Sequence, residues 1–321
     1  MYAWFDDDAG QLGNGLVGPQ YDSSTPIPSQ MPAGTTSVAV AAGQSHSLAV
    51  TSTGAVYAFG FNGRGQLGNG TTTGSAVPVQ TTLPAGVTVS AVAAGWDDSL
   101  ALTSTGSVYA WGMNKYGELG DGTLKQRLLP VLVHFPAGVT IVAIAAGEFH
   151  SLAVSSTGAV YAWGANTYGQ LGNGGTTQSN LPVLTQLPAG VTATAVAAGD
   201  SHSLVVTSTG AVYAWGKNNF GQLGNGGTSD SDVPVLTQLP AGVTATAIGA
   251  GPNYGHALTS GGDIYFWGAD STGHHQHLVP APTLLPARHH GVIGHGGISG
   301  VVAGDGVDHR WRRPALHRDW L

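Results

Sequence analysis

The chain repeats itself every 52 residues, and a period of that length leaves few folds open. Ala41-Ala42-Gly43 returns as Ala93-Ala94-Gly95, Ala145-Ala146-Gly147 and Ala197-Ala198-Gly199, then as Gly249-Ala250-Gly251. Leu67, Leu119, Leu171 and Leu223 keep the same beat inside a Gly-Gln/Glu-Leu-Gly segment. A third landmark runs from Tyr57-Ala58-Phe59-Gly60 through Tyr109-Ala110-Trp111-Gly112, Tyr161-Ala162-Trp163-Gly164 and Tyr213-Ala214-Trp215-Gly216 to Tyr265-Phe266-Trp267-Gly268. Residues 171–197 and 223–249 agree at 21 of 27 positions, the mark of recent duplication.

Each period reads as four short strands. In one copy they are Thr194–Ala198, Ser203–Thr207, Ala211–Trp215 and Val233–Thr237. Val, Thr, Tyr and Trp gathered between Gly, Asn and Ser turns are strand chemistry, and Pro234 suits an outer edge where no ladder N–H is needed. No segment carries helical periodicity with caps at both ends. Four antiparallel strands per repeat of this length predict an all-β fold, a β-propeller with about six blades visible. Small Val-Ala-Ala-Gly residues belong where strands converge on an axis. Trp and Tyr two strands out are placed to fill the wedges between blades.

Composition narrows the function classes. Only 8 % of residues are Asp, Glu, Lys or Arg, and 51 of 321 are Gly. A formal charge of −7 argues against a nucleic-acid surface, which depends on Lys and Arg meeting phosphates. No apolar run approaches the length of a spanning helix. Zero cysteines remove disulfides, thiolate metal sites and Cys nucleophiles together. Charge is also uneven: residues 1–273 hold five basic and 14 acidic side chains, whereas 274–321 holds five basic, three acidic and eight of the 13 histidines.

The pattern Ala-Ala-Gly-x-x-His-Ser-Leu-Ala-Val-Thr-Ser-Thr-Gly-x-Val-Tyr-Ala-Trp-Gly-x-Asn-x-x-Gly-Gln-Leu-Gly-Asn-Gly resembles the regulator of chromosome condensation repeat over roughly residues 1–273. That resemblance implies a propeller, usually of seven blades, with roles in nucleotide exchange on a small GTPase, ultraviolet sensing or protein inhibition. The whole chain is read as one propeller domain: an N-terminal partial blade (1–40), in-phase repeats (41–273) and a degenerate His/Arg-rich segment (274–321) that is available to complete the first blade. A truncated seven-bladed parent is the competing reading. Val302-Ala303-Gly304 is read as a decayed Ala-Ala-Gly copy. A frameshift is one origin for the tail, in which His309–Pro314 stands where Thr-Ser-Thr-Gly is due and Ala315–Asp319 follows.

The chemically suggestive residues read mostly as architecture. His46, His150, His202 and His256 are read as one repeated position, an imidazole hydrogen-bonded inside each blade, with Asp98 replacing it once. Asp6-Asp7-Asp8 and Ser229-Asp230-Ser231-Asp232 lack the alternating ligands and distal Glu of a calcium loop and are read as solvated turns. His274-His275-Gln276-His277 has metal-like spacing without a carboxylate, so no metal site is assigned. Hydrolase elbows, zinc-protease motifs and P-loops are absent from the sequence, so neither a catalytic residue nor a cofactor is expected. Gly95-Trp96-Asp97-Asp98-Ser99 resembles the Gly-Trp-Arg-His-Thr motif of an ultraviolet-sensing member. Asp replaces Arg, however, and one blade alone has the Trp.

What varies within the repeat carries the functional reading, because binding residues sit on loops held by a rigid scaffold. Trp96, Phe149 and Tyr254 are placed in the variable loop after Ala-Ala-Gly, and Tyr116, Tyr168 and Phe220 in the loop after the Trp-Gly strand. These six are the candidate partner-binding residues. The expectation is a monomeric, non-enzymatic scaffold or inhibitor-like module that binds a protein, without nucleic acid or a membrane span. An exchange factor for a small GTPase is one alternative. Another is an extracellular carbohydrate-acting enzyme with a site at the channel mouth, for which Glu118 and Glu148 are the acid candidates. Thr/Gly richness and scarce Lys suggest an extracellular or cell-surface bacterial setting, with the cytoplasm as the alternative; Met1 leads straight into strand residues without a signal peptide.

Overall fold

Strand-forming residues between glycine turns build sheets and nothing else of length: a computed structural model describes residues 1–269 and 276–282, with the backbone of 301–302. Five four-stranded antiparallel sheets follow one another along the chain, preceded by a three-stranded one. The first blade comprises Tyr2–Phe5, Ser23–Pro28 and Val301–Val302. The second is built from Ser37–Ala42, His46–Thr51, Val56–Gly60 and Ser75–Gln80, and the third from Val89–Ala94, Asp98–Thr103, Val108–Gly112 and Arg127–Leu132. Ile141–Ala146, His150–Ser155, Val160–Gly164 and Ser179–Leu184 make the fourth. The fifth has Ala193–Ala198, His202–Thr207, Val212–Gly216 and Ser231–Leu236, so its outer strand starts two residues earlier than its Val-Pro-Val core suggests. Ala245–Gly251, Tyr254–Thr259, Ile264–Ala269 and Gln276–Pro282 complete the sixth.

Blades two to six run first to fourth strand from the inside out, and successive first strands pack on one another. Second strands are buried along their whole length in blades two to five. Each second-to-third hairpin is a Thr/Ser-Ser-Thr-Gly turn in blades two to five. Gly54, for example, takes φ 78° while its N–H closes on the Thr51 carbonyl, a conformation that L side chains resist. Glycine at the end of the first strand has a different reason: a Cβ on Gly147 would overlap the Gly199 carbonyl oxygen of the next blade.

The core lies between blades rather than within them. Trp215 of the fifth blade is fully buried among Leu152, Val160, Ala162 and Leu171 of the fourth, and Trp163 and Trp111 repeat the arrangement one and two blades earlier. The wedge role read from the sequence is what the packing shows.

Two register findings correct the sequence reading. Tyr254 pairs with Gly268 as His202 pairs with Gly216, so Tyr254 holds the repeated histidine position and His256 lies two residues beyond it. Tyr2 and Ala3 pair with Val302 and Val301, matching the pairing of Tyr57 and Ala58 with Ala49 and Leu48. Val301–Val302 therefore stands in second-strand register, not as an innermost Ala-Ala-Gly copy. The remaining features read in 274–321, including His274, His275, Ala303–Gly304, His309–Pro314 and Ala315–Asp319, lie outside the described residues.

Candidate functional site: an aromatic face over an acidic seam

The loop after each first strand and the longer loop after each third strand emerge on the same face, because alternating strand directions send both there. Backbone bonds tie the two together: Met113 N–H donates to Asp97 O at 2.9 Å, Ala165 N–H to Phe149 O at 2.8 Å and Lys217 N–H to Ser201 O at 2.9 Å. A buried asparagine then fixes the long loop from within. Asn114 Oδ1 accepts from Leu119 N–H at 3.0 Å, while its Nδ2 donates to the carbonyls of Thr123 and Lys125 at 3.1 Å each. Asn166 and Asn218 do the same in the next two blades. The in-phase Asn was visible in the repeat, but its role as a loop staple was not drawn from it. Asp7 takes this position in the first blade. It is buried and accepts from Leu12 N–H at 3.0 Å, which corrects the solvated-turn reading at Asp7, while Asp8 is exposed.

Neighbouring blades meet along a seam with its own repeated chemistry. The Gln66 carbonyl accepts from Ser99 Oγ at 2.9 Å and Trp111 Nε1 at 2.8 Å, both in the following blade. His46 Nε2 lies 2.9 Å from the same Ser99 Oγ, and His150 Nε2 lies 2.8 Å from Ser203 Oγ. Since each serine proton goes to a carbonyl, the hydroxyl oxygen accepts from the imidazole, which assigns the Nε2–H tautomer. These histidines therefore stitch one blade to the next instead of bonding inside their own. Burial lowers them to about 4 for His46 and His202 and about 3 for His150, where the His202 charge contributes second, so all three are neutral spacers.

The seam between the third and fourth blades departs from this pattern. Asp98 replaces the histidine and is too short to take up the serine, so neither of its oxygens has a partner; Ser151 bonds only the Glu118 carbonyl, at 2.9 Å. Glu118 replaces the glutamine. One of its oxygens accepts from Tyr116 N–H at 2.8 Å and the other is unpaired, both inside a side chain with no exposure. Burial first, then the charges of Glu118 and Asp97, hold the Asp98 carboxyl well above the usual range; burial also raises Glu118.

Directly above that seam lies the aromatic cluster. Trp96 of the third blade stacks on Phe149 of the fourth, with centroids 5.4 Å apart and planes 14° from parallel. Tyr116 leans against Phe149 with centroids 5.2 Å apart and planes 58° from parallel, and Lys115 Nζ sits 4.9 Å over the Tyr116 ring. All three rings are half-buried. Asp97 and Glu148 flank them: Asp97 Oδ1 accepts from Gln66 Nε2 at 2.7 Å, while burial and then the Asp200 charge push Glu148 up to about 7, against the pull of Lys217.

A match to the RCC1-like domain covers residues 1–306. The chain belongs to that family. Among its relatives, the ultraviolet-B receptor UVR8 of Arabidopsis thaliana is 34 % identical over 273 residues, which is 85 % of this chain and 61 % of the receptor. The E3 ubiquitin-protein ligase HERC2 of Homo sapiens is 32 % identical over 84 % of this chain, but only 6 % of the ligase is covered. This RCC1-like chain thus spans less than two thirds of either relative. Yeast RCC1 (Prp20), solved bound to Kap60, superposes with a TM-score of 0.78 at 24 % identity over 92 % of this chain and 74 % of its own, a likeness of fold.

Of the six residues singled out from sequence, the structure gathers Trp96, Phe149 and Tyr116. Tyr168 is on the same face, 38 % exposed, with Lys217 Nζ 5.2 Å over its ring, and Phe220 is half-buried one blade further on. Tyr254 does not join them: it opens a second strand and packs against Phe266 at 5.0 Å, its phenol raised by burial and by Asp200. Glu118 has no access to a substrate at a channel mouth, since it is fully buried. Asp230 likewise caps a loop, accepting from Asn218 N–H at 2.7 Å. On the opposite face a groove lined by Gly54, Ala55, Leu83 and Pro84 contains no titratable side chain. Among the described residues no helix is long and apolar enough to cross a membrane.

Proposed function

We propose that this RCC1-like propeller is a non-enzymatic protein-binding module whose contact face carries Trp96, Tyr116 and Phe149. The observation that supports it is the stacked Trp96–Phe149 pair spanning two blades, on loops that backbone bonds from Met113 and Ala165 tie to the asparagine-stapled loops beside them. The fold does not need rings there, because Gln44 and Asp200 occupy the Trp96 position, and Ser45 and Ser201 the Phe149 position, in other blades. Large aromatics on a rigid platform are the side chains that anchor protein interfaces. Protein binding is also the recorded behaviour of yeast RCC1, captured with Kap60.

The test is affinity capture from extracts of the source organism with the wild-type chain and with Trp96→Ala/Phe149→Ala. A protein retained by the wild type and lost with the double variant, at an unchanged melting temperature, supports the reading. Retention by both moves the contact to another surface.

A further inference from the structure

The third–fourth seam breaks the repeat at several places at once, and every change either adds negative charge or an aromatic plane. Asp98 stands where His46, His150 and His202 stand in other blades, and Glu118 where Gln11, Gln66, Gln170 and Gln222 do. The other seams are built with neutral groups at these positions, even where, as at His202, neither ring nitrogen has a partner. At this one seam two carboxylates are buried instead, with three oxygens lacking any partner. Burying an unpaired carboxylate is costly, so its presence where a neutral residue serves elsewhere asks for a compensating cation. Among the described residues the one ion pair, Arg127–Asp121 at 2.6 Å, involves neither of them; the Lys115 charge reaches Glu118 as the weakest of its influences, and no cation reaches Asp98.

We propose that this seam receives an arginine side chain from a basic segment of a protein partner, stacked on Trp96 and Phe149 with its charge toward Asp97 and Glu148. A guanidinium combines a flat face for the indole with a fork of donors for carboxylates. Asp97, bonded to Gln66 and drawn by Arg64, and Glu148, beside Asp200 and Lys217, are half-buried at the rim, whereas Asp98 and Glu118 lie below and act through a low-dielectric seam that screens little. The surplus of 14 acidic over five basic side chains in residues 1–273 gives the same sign of complementarity at long range. The proposal rests on the aromatic face being the contact face and adds the chemistry of the partner.

The probe is an acetylated octaarginine peptide, titrated by calorimetry at moderate salt beside the same peptide with citrulline, its neutral isostere. Asp98→His/Glu118→Gln restores the residues the other blades carry and so keeps the seam foldable, which a melting curve verifies. Asp8→Asn/Asp263→Asn removes the same number of carboxylates from exposed positions elsewhere. The expected result is octaarginine binding that weakens about tenfold in Asp98→His/Glu118→Gln, changes little in Asp8→Asn/Asp263→Asn, and is lost with citrulline. Equal weakening by the two double variants would show a diffuse field, and no weakening in the first an irrelevant seam; either overturns the proposal. Loss of the captured partner with Trp96→Ala/Phe149→Ala, alongside such a result, leaves the contact face standing without this chemistry.

Discussion

Replacing Trp215 by Ala removes the ring that fills the wedge between the fourth and fifth blades. The indole has no exposure, lies against Leu152, Val160, Ala162 and Leu171, and donates from Nε1 to the Gln170 carbonyl at 2.8 Å. A Trp side chain buries roughly 150–250 Å², worth about 4–6 kcal/mol at about 25 cal/mol per Å² against an extended chain, an upper bound. The hydrogen bond adds about 1 kcal/mol net. Partial collapse of the cavity brings the expectation to about 3–5 kcal/mol, the range met when buried Trp is truncated. The second blade supplies an internal comparison, since Phe59 occupies the same position and is equally buried. Trp215→Phe keeps most of the area and loses the donor, so it is expected to cost about 1–2 kcal/mol. Urea midpoints followed by far-ultraviolet circular dichroism measure both. A Trp215→Ala midpoint equal to wild type, or a Trp215→Phe loss as large as that of Ala, would refute a core built from ring area between blades.

Other consequences follow from the seams and loops. His46, His150 and His202 bind protons more weakly folded than unfolded, so their contribution is complete above about pH 6.5 and is lost as pH falls toward about 4 for His46 and His202 and about 3 for His150, on the order of 3–5 kcal/mol each; His150→Gln is expected to flatten the slope of urea midpoint against pH over that window, and an unchanged slope contradicts burial as the cause. Asp98 has the opposite sign: its folded carboxyl is raised, so stability declines as pH rises above its ordinary range, and Asp98→His is expected to raise the urea midpoint at pH 8. Gly147→Ala is expected to lower the melting temperature more than Gly175→Ala, because a Cβ at Gly147 meets the Gly199 carbonyl and one at Gly175 meets nothing; equal melting temperatures contradict the close approach of first strands. Asn166→Ala frees two loop carbonyls and one amide, with about 1–3 kcal/mol at stake and faster hydrogen exchange across residues 171–178 as the reading.

Periodicity made the blades legible because each strand's environment recurs with its sequence: the buried second strand, the wedge tryptophan and the glycine turns are set by contacts that every repeat makes alike. It was less able to say which neighbour a side chain meets. His46 reads as a residue bonded in its own blade, yet its partner Ser99 lies 53 positions on, because the seam joins one period to the next. Tyr254 went astray through a shift of two residues: the histidine at 256 draws the eye, although the strict beat lands on 254. Trp96 and Phe149 were found as departures from the repeat, but at adjacent, unlike positions in successive blades nothing in the sequence says that they touch. Only the displacement of one blade against the next brings the two positions face to face.

A repeat protein carries its own controls. Where several blades agree on His, Ser and Gln, those residues answer to packing, and a single blade that departs must either tolerate the change or use it. Tolerance is what the fifth–sixth seam shows: Gly255 replaces the serine, the Trp267 ring lies where a Cβ would go, and no charge is added. The third–fourth seam is different in kind, because burial penalises both of its carboxylates and the aromatic pair above it stands where other blades carry Gln or Asp and Ser. Drift of a neutral scaffold removes partners one at a time. It does not set two buried acids beneath a stacked Trp–Phe pair, and a bound cation is the simplest agent that would make those departures compatible with one another.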